Sequence, residues 1–174
     1  MTGCRIRRGE AHDAAILAEL GARTFSETFL EHNNPADIAA FVADTYGPDK
    51  QAAELADPAT IILVAELDGE AVGFAKLHAG PAPACVVGPA PIELARLYVA
   101  RDQIGRGVGE ALMRKVVEEA EGAGHATLWL GVWERNERAQ RFYRRWQLEA
   151  VGAHVFVVGS DPQTDLVMSR GIGP

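Results

Sequence analysis

Leu97-Tyr98-Val99-Ala100-Arg101-Asp102-Gln103-Ile104-Gly105-Arg106-Gly107-Val108-Gly109-Glu110 is the stretch that decides the fold. Residues 92–99 before the loop read as a strand. Residues 107–120 after it read as a helix, with Val108, Ala111, Leu112, Val116 and Ala120 on one apolar face. Glycines at 105, 107 and 109 let the backbone take unusual dihedrals and approach a ligand closely. The helix then turns its free N–H groups and positive dipole end toward that loop. A strand, a glycine loop and a helix start together describe an anion cradle, most often for phosphate. Arg106 is placed to add a charge-assisted contact. Two common phosphate loops are excluded on residues. A Walker A loop needs Lys-Ser/Thr after its last glycine, where Glu110-Ala111 stands. A dinucleotide fingerprint needs G-x-G-x-x-G, but position 110 is Glu. It also needs an acidic residue closing the next strand, and Trp129-Leu130-Gly131-Val132-Trp133 closes it here. Taken alone, the loop reads equally as a turn that only permits tight packing.

Working outward, residues 5–8 form a short opening strand. Asp13 is the expected N-cap of a helix carrying Leu17, Leu20, Phe25 and Phe29 at helical spacing. Asn33-Asn34-Pro35 ends that helix and starts a second with Pro35 at its first position. Tyr46-Gly47-Pro48 breaks the second, and residues 51–56 add one or two turns. Residues 60–67 and 71–78 are strands joined by the tight hairpin turn Asp68-Gly69. The Pro/Gly-rich segment 80–91 is a loop, because the strands on both sides continue one pattern. Residues 126–132 are a strand, 136–146 a helix, and 150–158 and 164–168 two closing strands. The order β-α-α-β-β-β-α-β-α-β-β predicts an α/β (α+β) domain with a mainly antiparallel sheet of about seven strands.

The 174 residues fit a single domain, 1–174. With 48% apolar and 24% charged residues the chain has an average globular composition, which excludes a disordered chain, collagen or a coiled coil. The formal net charge of −7 argues against nucleic acid and anionic membrane as partners. It suits a cationic small molecule, or serves solubility alone. No apolar run reaches 18 residues, and the first residues lack the apolar core of a signal peptide. The two cysteines, Cys4 and Cys85, suggest a reducing compartment, so a cytoplasmic location is expected. The five histidines show no ligand spacing, and no metal is expected. Trp129 and Trp133 read as strand packing. Oligomeric state is not legible; a homodimer is compatible with the sequence.

Leu97-Tyr98-Val99 followed by Gly105-x-Gly107-x-Gly109 resembles the acetyl-CoA-binding motif of the GNAT superfamily of N-acetyltransferases. Residues 128–143, ending Asn136-Glu137-Arg138-Ala139-Gln140-Arg141-Phe142-Tyr143, resemble the next strand and helix of that superfamily. Two blocks at this separation are far more specific than either alone. Four further segments are similar to the PaiA-type polyamine acetyltransferases: Thr24-Phe25-x-x-Thr28-Phe29, Asn33-x-Pro35-x-Asp37, Gly152-Ala153-His154-x-Phe156 and Gln163-Thr164-Asp165. Two positions depart from the pattern. Ile104 holds the slot usually given to Gln or Arg, and Gln147-Leu148 stands where Gly-Phe is usual.

The resemblance implies the GNAT fold and direct transfer of acetyl from acetyl-CoA to an amine. The amides of Gly105, Arg106, Gly107, Val108, Gly109 and Glu110, after Ile104, would hold the pyrophosphate. The backbone at Leu97, Tyr98 and Val99 would pair with the pantetheine arm like an added half-strand. Asn136 would bond the pantetheine and cap its helix at the same time, with Ala139 beside it. Tyr143 would protonate the departing thiolate; its plain alternative is a core aromatic. An alkylammonium has a pKa near 10.4, so freeing the amine at pH 7 costs about 4–5 kcal/mol. Glu93, six residues before Val99, matches the superfamily's catalytic glutamate and by period two shares the face of Leu97 and Val99. It serves as base or as cation anchor, with Glu27 and Glu31 as weaker anchors. The expected acceptor is a small-molecule amine, foremost spermidine or spermine. A protein N-terminus, a peptide or an amino sugar is the alternative, and a non-catalytic CoA sensor a third reading.

Overall fold

The computed structural model describes residues 3–173. Its elements are β1 (Arg5–Arg8), α1 (Ala14–Phe29), α2 (Pro35–Thr45), α3 (Pro48–Ala56), β2 (Thr60–Leu67), β3 (Glu70–His78), β4 (Pro91–Val99), α4 (Val108–Gly122), β5 (Thr127–Trp133), α5 (Glu137–Arg145), β6 (Glu149–Val158) and β7 (Asp161–Gly171). The seven strands form one sheet in the order β1-β2-β3-β4-β5-β7-β6. Every neighbouring pair is antiparallel except β4 and β5. The expected α/β class and seven-stranded, mainly antiparallel sheet are therefore observed. No helix among the described residues is long and apolar enough to cross a membrane.

The element order corrects the sequence expectation by one helix. Residues 51–56 are the end of a full helix, α3, which Pro48 opens at its first position. Gln51 is buried there and donates to the Thr45 carbonyl at 2.9 Å, joining α3 to α2. Asp13 stands at the start of α1, yet its side chain does not cap that helix. It is 2% exposed and takes both terminal nitrogens of Arg7, at 2.7 and 2.9 Å, plus the Glu10 N–H at 2.7 Å. A buried, bidentate guanidinium–carboxylate pair is stronger than a neutral cap bond, so the carboxylate serves β1 instead.

The sheet is covered on both sides, and that is why the run Ile61-Ile62-Leu63-Val64-Ala65 lacks alternation. Leu63, Leu77, Leu94, Leu128 and Leu130 face α4 and bury with Leu112, Met113 and Val116. Ile62, Val64, Phe74 and Trp133 face α1 and bury with Phe25 and Phe29. Asp68 and Gly69 both adopt positive φ, 51° and 84°, as the expected hairpin turn requires.

The feature that shapes the site is the brevity of the β4–β5 pairing. It covers Pro91↔Thr127, Ile92↔Leu128 and Glu93↔Trp129, and ends there. β5 stays paired with β7 along its whole length. On the other side of β4, Leu77 pairs with Leu94 and Lys76 with Arg96, so Ala95 is an extra residue in the strand. Such a bulge bends its strand and sharpens the local twist. It also resets which residues share a face. Leu94, Leu97 and Val99 fall on the α4 side, while Glu93, Arg96 and Tyr98 fall on the α1 side. Glu93 therefore does not share the face of Leu97 and Val99, because period two fails across a bulge.

The end of α5 explains the departure at Gln147. Gln147 has φ +66° and donates to the Arg144 carbonyl at 2.9 Å, and Leu148 donates to the Tyr143 carbonyl at 3.1 Å. This is a Schellman cap, in which glycine is favoured at the left-handed position. Gln147→Gly is expected to raise stability by about 0.5–1 kcal/mol, because the left-handed penalty exceeds glycine's entropy cost. Urea unfolding of the two proteins measures it.

Candidate active site

Where β4 and β5 part, a cavity of about 590 Å³ opens. One wall is β4 from Leu94 to Val99, whose edge facing β5 has no partner strand beyond Glu93. The opposite wall is Gly131, Val132 and Trp133 of β5. The glycine loop closes one end through Ile104, Gly105, Gly107, Gly109 and Glu110. Asn136, Ala139 and Tyr143 of the α5 segment line the side. All of these except Gly131, Val132, Trp133 and the first residues of β4 are sites the sequence nominated.

The loop is built as a donor nest. Gly105 and Gly107 have φ of +83° and +84°, and a Cβ at either would meet nothing within 4 Å. Their need for glycine is thus conformational, and the space above them is free for a ligand. The first bond of α4 runs from Ala111 N–H to the Gly107 carbonyl at 3.0 Å. The amides of Val108, Gly109 and Glu110 precede it and remain the helix's free donors. One expectation is corrected here. The Arg106 amide donates back to the Gln103 carbonyl at 3.3 Å, closing the turn, and is spent. The exposed Arg106 side chain and the buried Val108 side chain do not wall the cavity. Arg138 and Arg145 do, and sequence reading missed both. Arg145 pairs with Glu110 at 3.2 Å and stacks on the Phe142 ring at 5.5 Å. Free amides, two guanidinium groups and an open strand edge fit a long, phosphate-bearing thioester.

Asn136 caps α5 by accepting from the Ala139 N–H at 3.1 Å. Its side-chain NH₂ keeps its donors for a ligand, so the two expected roles coexist. Tyr143 is 8% exposed, wedged edge-on against Phe142 at 5.3 Å. Burial raises its pKa above the ordinary phenol value, so it stays protonated at neutral pH. The Schellman bond from Leu148 to the Tyr143 carbonyl fixes its place at the cavity wall.

Glu93 is absent from the cavity walls among the described residues. Burial raises its pKa, while His78, Lys76, His154 and Arg96 pull it the other way. Glu27 is committed elsewhere: its carboxylate accepts the Arg101 amide at 3.0 Å, and its carbonyl accepts the Arg101 guanidinium at 2.7 Å. The exposed Glu31 is not on the cavity wall either. The carboxylate that does reach the wall is Asp165 on β7, beside Gly131. Burial carries its pKa up to about 6, against a lowering pull from His154. The sequence showed Asp165 only as part of a resemblance. Its arrival opposite β4 depends on the strand order β5-β7-β6, which no local pattern encodes.

The profile of the acetyltransferase (GNAT) family matches residues 17–147. A relative from Lactobacillus delbrueckii subsp. lactis, described as an uncharacterised N-acetyltransferase, is 34% identical over 99% of both chains. The chain belongs to the GNAT family. An uncharacterised N-acetyltransferase of Mycobacterium tuberculosis is 37% identical over 91% of this chain and 97% of that one. Among solved structures, the PaiA N-acetyltransferase of Thermoplasma acidophilum in complex with coenzyme A superposes with a TM-score of 0.76 at 20% identity. The match covers 97% and 99% of the two chains. The protein is an acetyl-CoA-dependent N-acetyltransferase, with acetyl-CoA as co-substrate.

Gly107→Asp is expected to weaken acetyl-CoA binding by at least roughly tenfold, through the forced left-handed side chain and repulsion of phosphate. Calorimetric titration measures it; unchanged affinity would remove the loop from the cofactor site. Tyr143→Phe keeps the ring and deletes the proton donor. Its kcat should fall about 10²-fold with the Kd for acetyl-CoA unchanged.

Proposed function

We propose that the acceptor is a polyamine such as spermidine or spermine, acetylated on a primary amine. The observation that supports this most is a convergence. The segments outside the cofactor blocks that resemble PaiA-type enzymes meet at one end of the cavity. Thr28 and Phe29 come from α1, Phe156 from β6, and Gln163 and Asp165 from β7. The same segments are pinned together. Gln163 donates to the Asn33 side chain, and Asp37 accepts from both the amide and the hydroxyl of Ser160, at 3.1 and 3.0 Å. The wall that would choose the acceptor is thus one fastened unit, joining the start of α2 to the β6–β7 turn.

Charge supports the same reading. A polar hollow of about 170 Å³ shares Trp133 and Gln163 with the main cavity; Glu134 and Asp161 line it, set against the single guanidinium of Arg135 and the ring of His32. A chain of methylenes along Trp133 and Phe156 would leave a distal ammonium beside those two carboxylates. In the reaction, the free amine attacks the thioester carbonyl held along β4. A backbone N–H of that strand edge would stabilise the oxyanion. Tyr143 protonates the leaving thiolate.

A panel of amines with acetyl-CoA, read by thiol release, tests the acceptor. Spermidine or spermine should give the highest kcat/KM, falling as salt rises, because attraction at the mouth is screened over about 8–10 Å. Replacing Glu134 and Asp161 together by Gln and Asn should raise KM for spermidine and leave kcat for a short monoamine unchanged. Turnover of a peptide or amino sugar with none of a polyamine would overturn the acceptor and leave the cofactor site standing.

A further inference from the structure

We propose that Asp165, relayed through His154, is the group that takes the proton from the acceptor ammonium, in place of the β4 glutamate Glu93. This rests on acetyl transfer to an amine and is independent of which amine is used.

Three observations place the pair. First, Asp165 is opposite Trp133 of β5 and opposite His154 of β6 in the sheet register, so all three side chains share the α1 face. Second, Gly131 leaves room for them. A Cβ at Gly131 would lie 2.9 Å from His154 Nε2 and 3.0 Å from Asp165 Oδ2, so both side chains lean over this glycine, itself a cavity wall. Third, Asp165 and Tyr143 line the same cavity, whereas Glu93 is not on its wall. The Asp165 side chain is 11% exposed and that of His154 is 34% exposed, with Oδ2 and Nε2 3.8 Å apart. The histidine is therefore the pair's route to water. The other ionisable groups around it are Glu93 and Tyr98 from β4 and Tyr143 from α5, with Lys76, His78 and Arg96 beyond Glu93. A carboxyl group titrating at about 6 is well matched to base work near neutrality.

The protons balance as follows. The acceptor enters as R–NH₃⁺. One proton passes to the Asp165 carboxylate and, once the 3.8 Å Oδ2–Nε2 separation closes to hydrogen-bond reach, on through His154 to solvent. The amine lone pair forms the C–N bond at the thioester carbonyl, and the C–S bond breaks. Tyr143 gives its proton to the CoA thiolate and recovers one from the nitrogen of the tetrahedral adduct. The products are R–NH–acetyl, CoA–SH and one released proton.

The test uses the full chain and the primary alkylamine with the highest turnover in the panel, beside a fluorinated analogue of lower amine pKa. Asp165→Asn should lower kcat/KM for the alkylamine about 10²-fold at pH 7. The loss should shrink at pH 9–10 and with the fluorinated amine, and the Kd for acetyl-CoA should not change. The acidic limb of the pH–rate profile near pH 6 should vanish, and His154→Gln should shift it. Stability controls for misfolding. A carboxyl whose folded pKa is raised weakens the fold as pH climbs from about 4 toward 6, so Asp165→Asn should melt no lower than wild type at pH 7. For Asp165→Ala, added formate should restore part of the rate. A folded Asp165→Asn with the wild-type profile would overturn the proposal. So would loss of the acidic limb in Glu93→Gln while Asp165→Asn keeps it, and that result would assign the base to Glu93.

Discussion

Two parallel strands that pair for three residues and then separate are the constraint on which this structure depends. β5 stays paired with β7 along its whole length on its far side. β4 is turned away by the extra residue Ala95. Leaving strand edges unpaired is costly inside a protein unless a ligand or water takes the free groups. The cleft is strand-shaped, roofed by α1 on one side and flanked by α5 on the other. What reaches it is a set of amides from the glycine loop, a phenol from α5 and a carboxylate from β7.

The two ends of the cleft are built differently. The end at the glycine loop offers mainly backbone donors, with the Asn136, Arg138 and Arg145 side chains beside them. Its left-handed glycines and the free amides of α4 are backbone features that would bind phosphate without a particular side chain. Ile104 in place of the usual Gln or Arg is compatible with such a site. The other end is lined by side chains drawn from α1, β5, β6 and β7, held by the Asn33–Gln163 and Asp37–Ser160 contacts.

Much of this was legible in the sequence because it is local. The Asp68-Gly69 turn, Pro35 at a helix start, the glycine loop and the Asn136 cap each declare themselves within a few residues. What escaped was non-local. A bulge exists only relative to a partner strand, so the face of Glu93 was misread by simple alternation. The loss of the Arg106 amide to Gln103 depends on how the turn closes. Asp165 lies 66 residues after Val99 in the chain, and reaches the cleft because β7 inserts between β5 and β6. Asp13 gave its carboxylate to Arg7, a partner chosen by tertiary packing rather than by helix propensity.

The central claim is that acetyl-CoA occupies the open edge of β4 and the donor nest of α4. Residue-resolved amide hydrogen exchange, with and without acetyl-CoA, tests it most directly. Protection is expected at the unpaired edge within residues 97–99 and at Val108, Gly109 and Glu110, with the Arg106 amide little changed. Protection elsewhere in the chain, with these amides exchanging as in the free protein, would contradict the account.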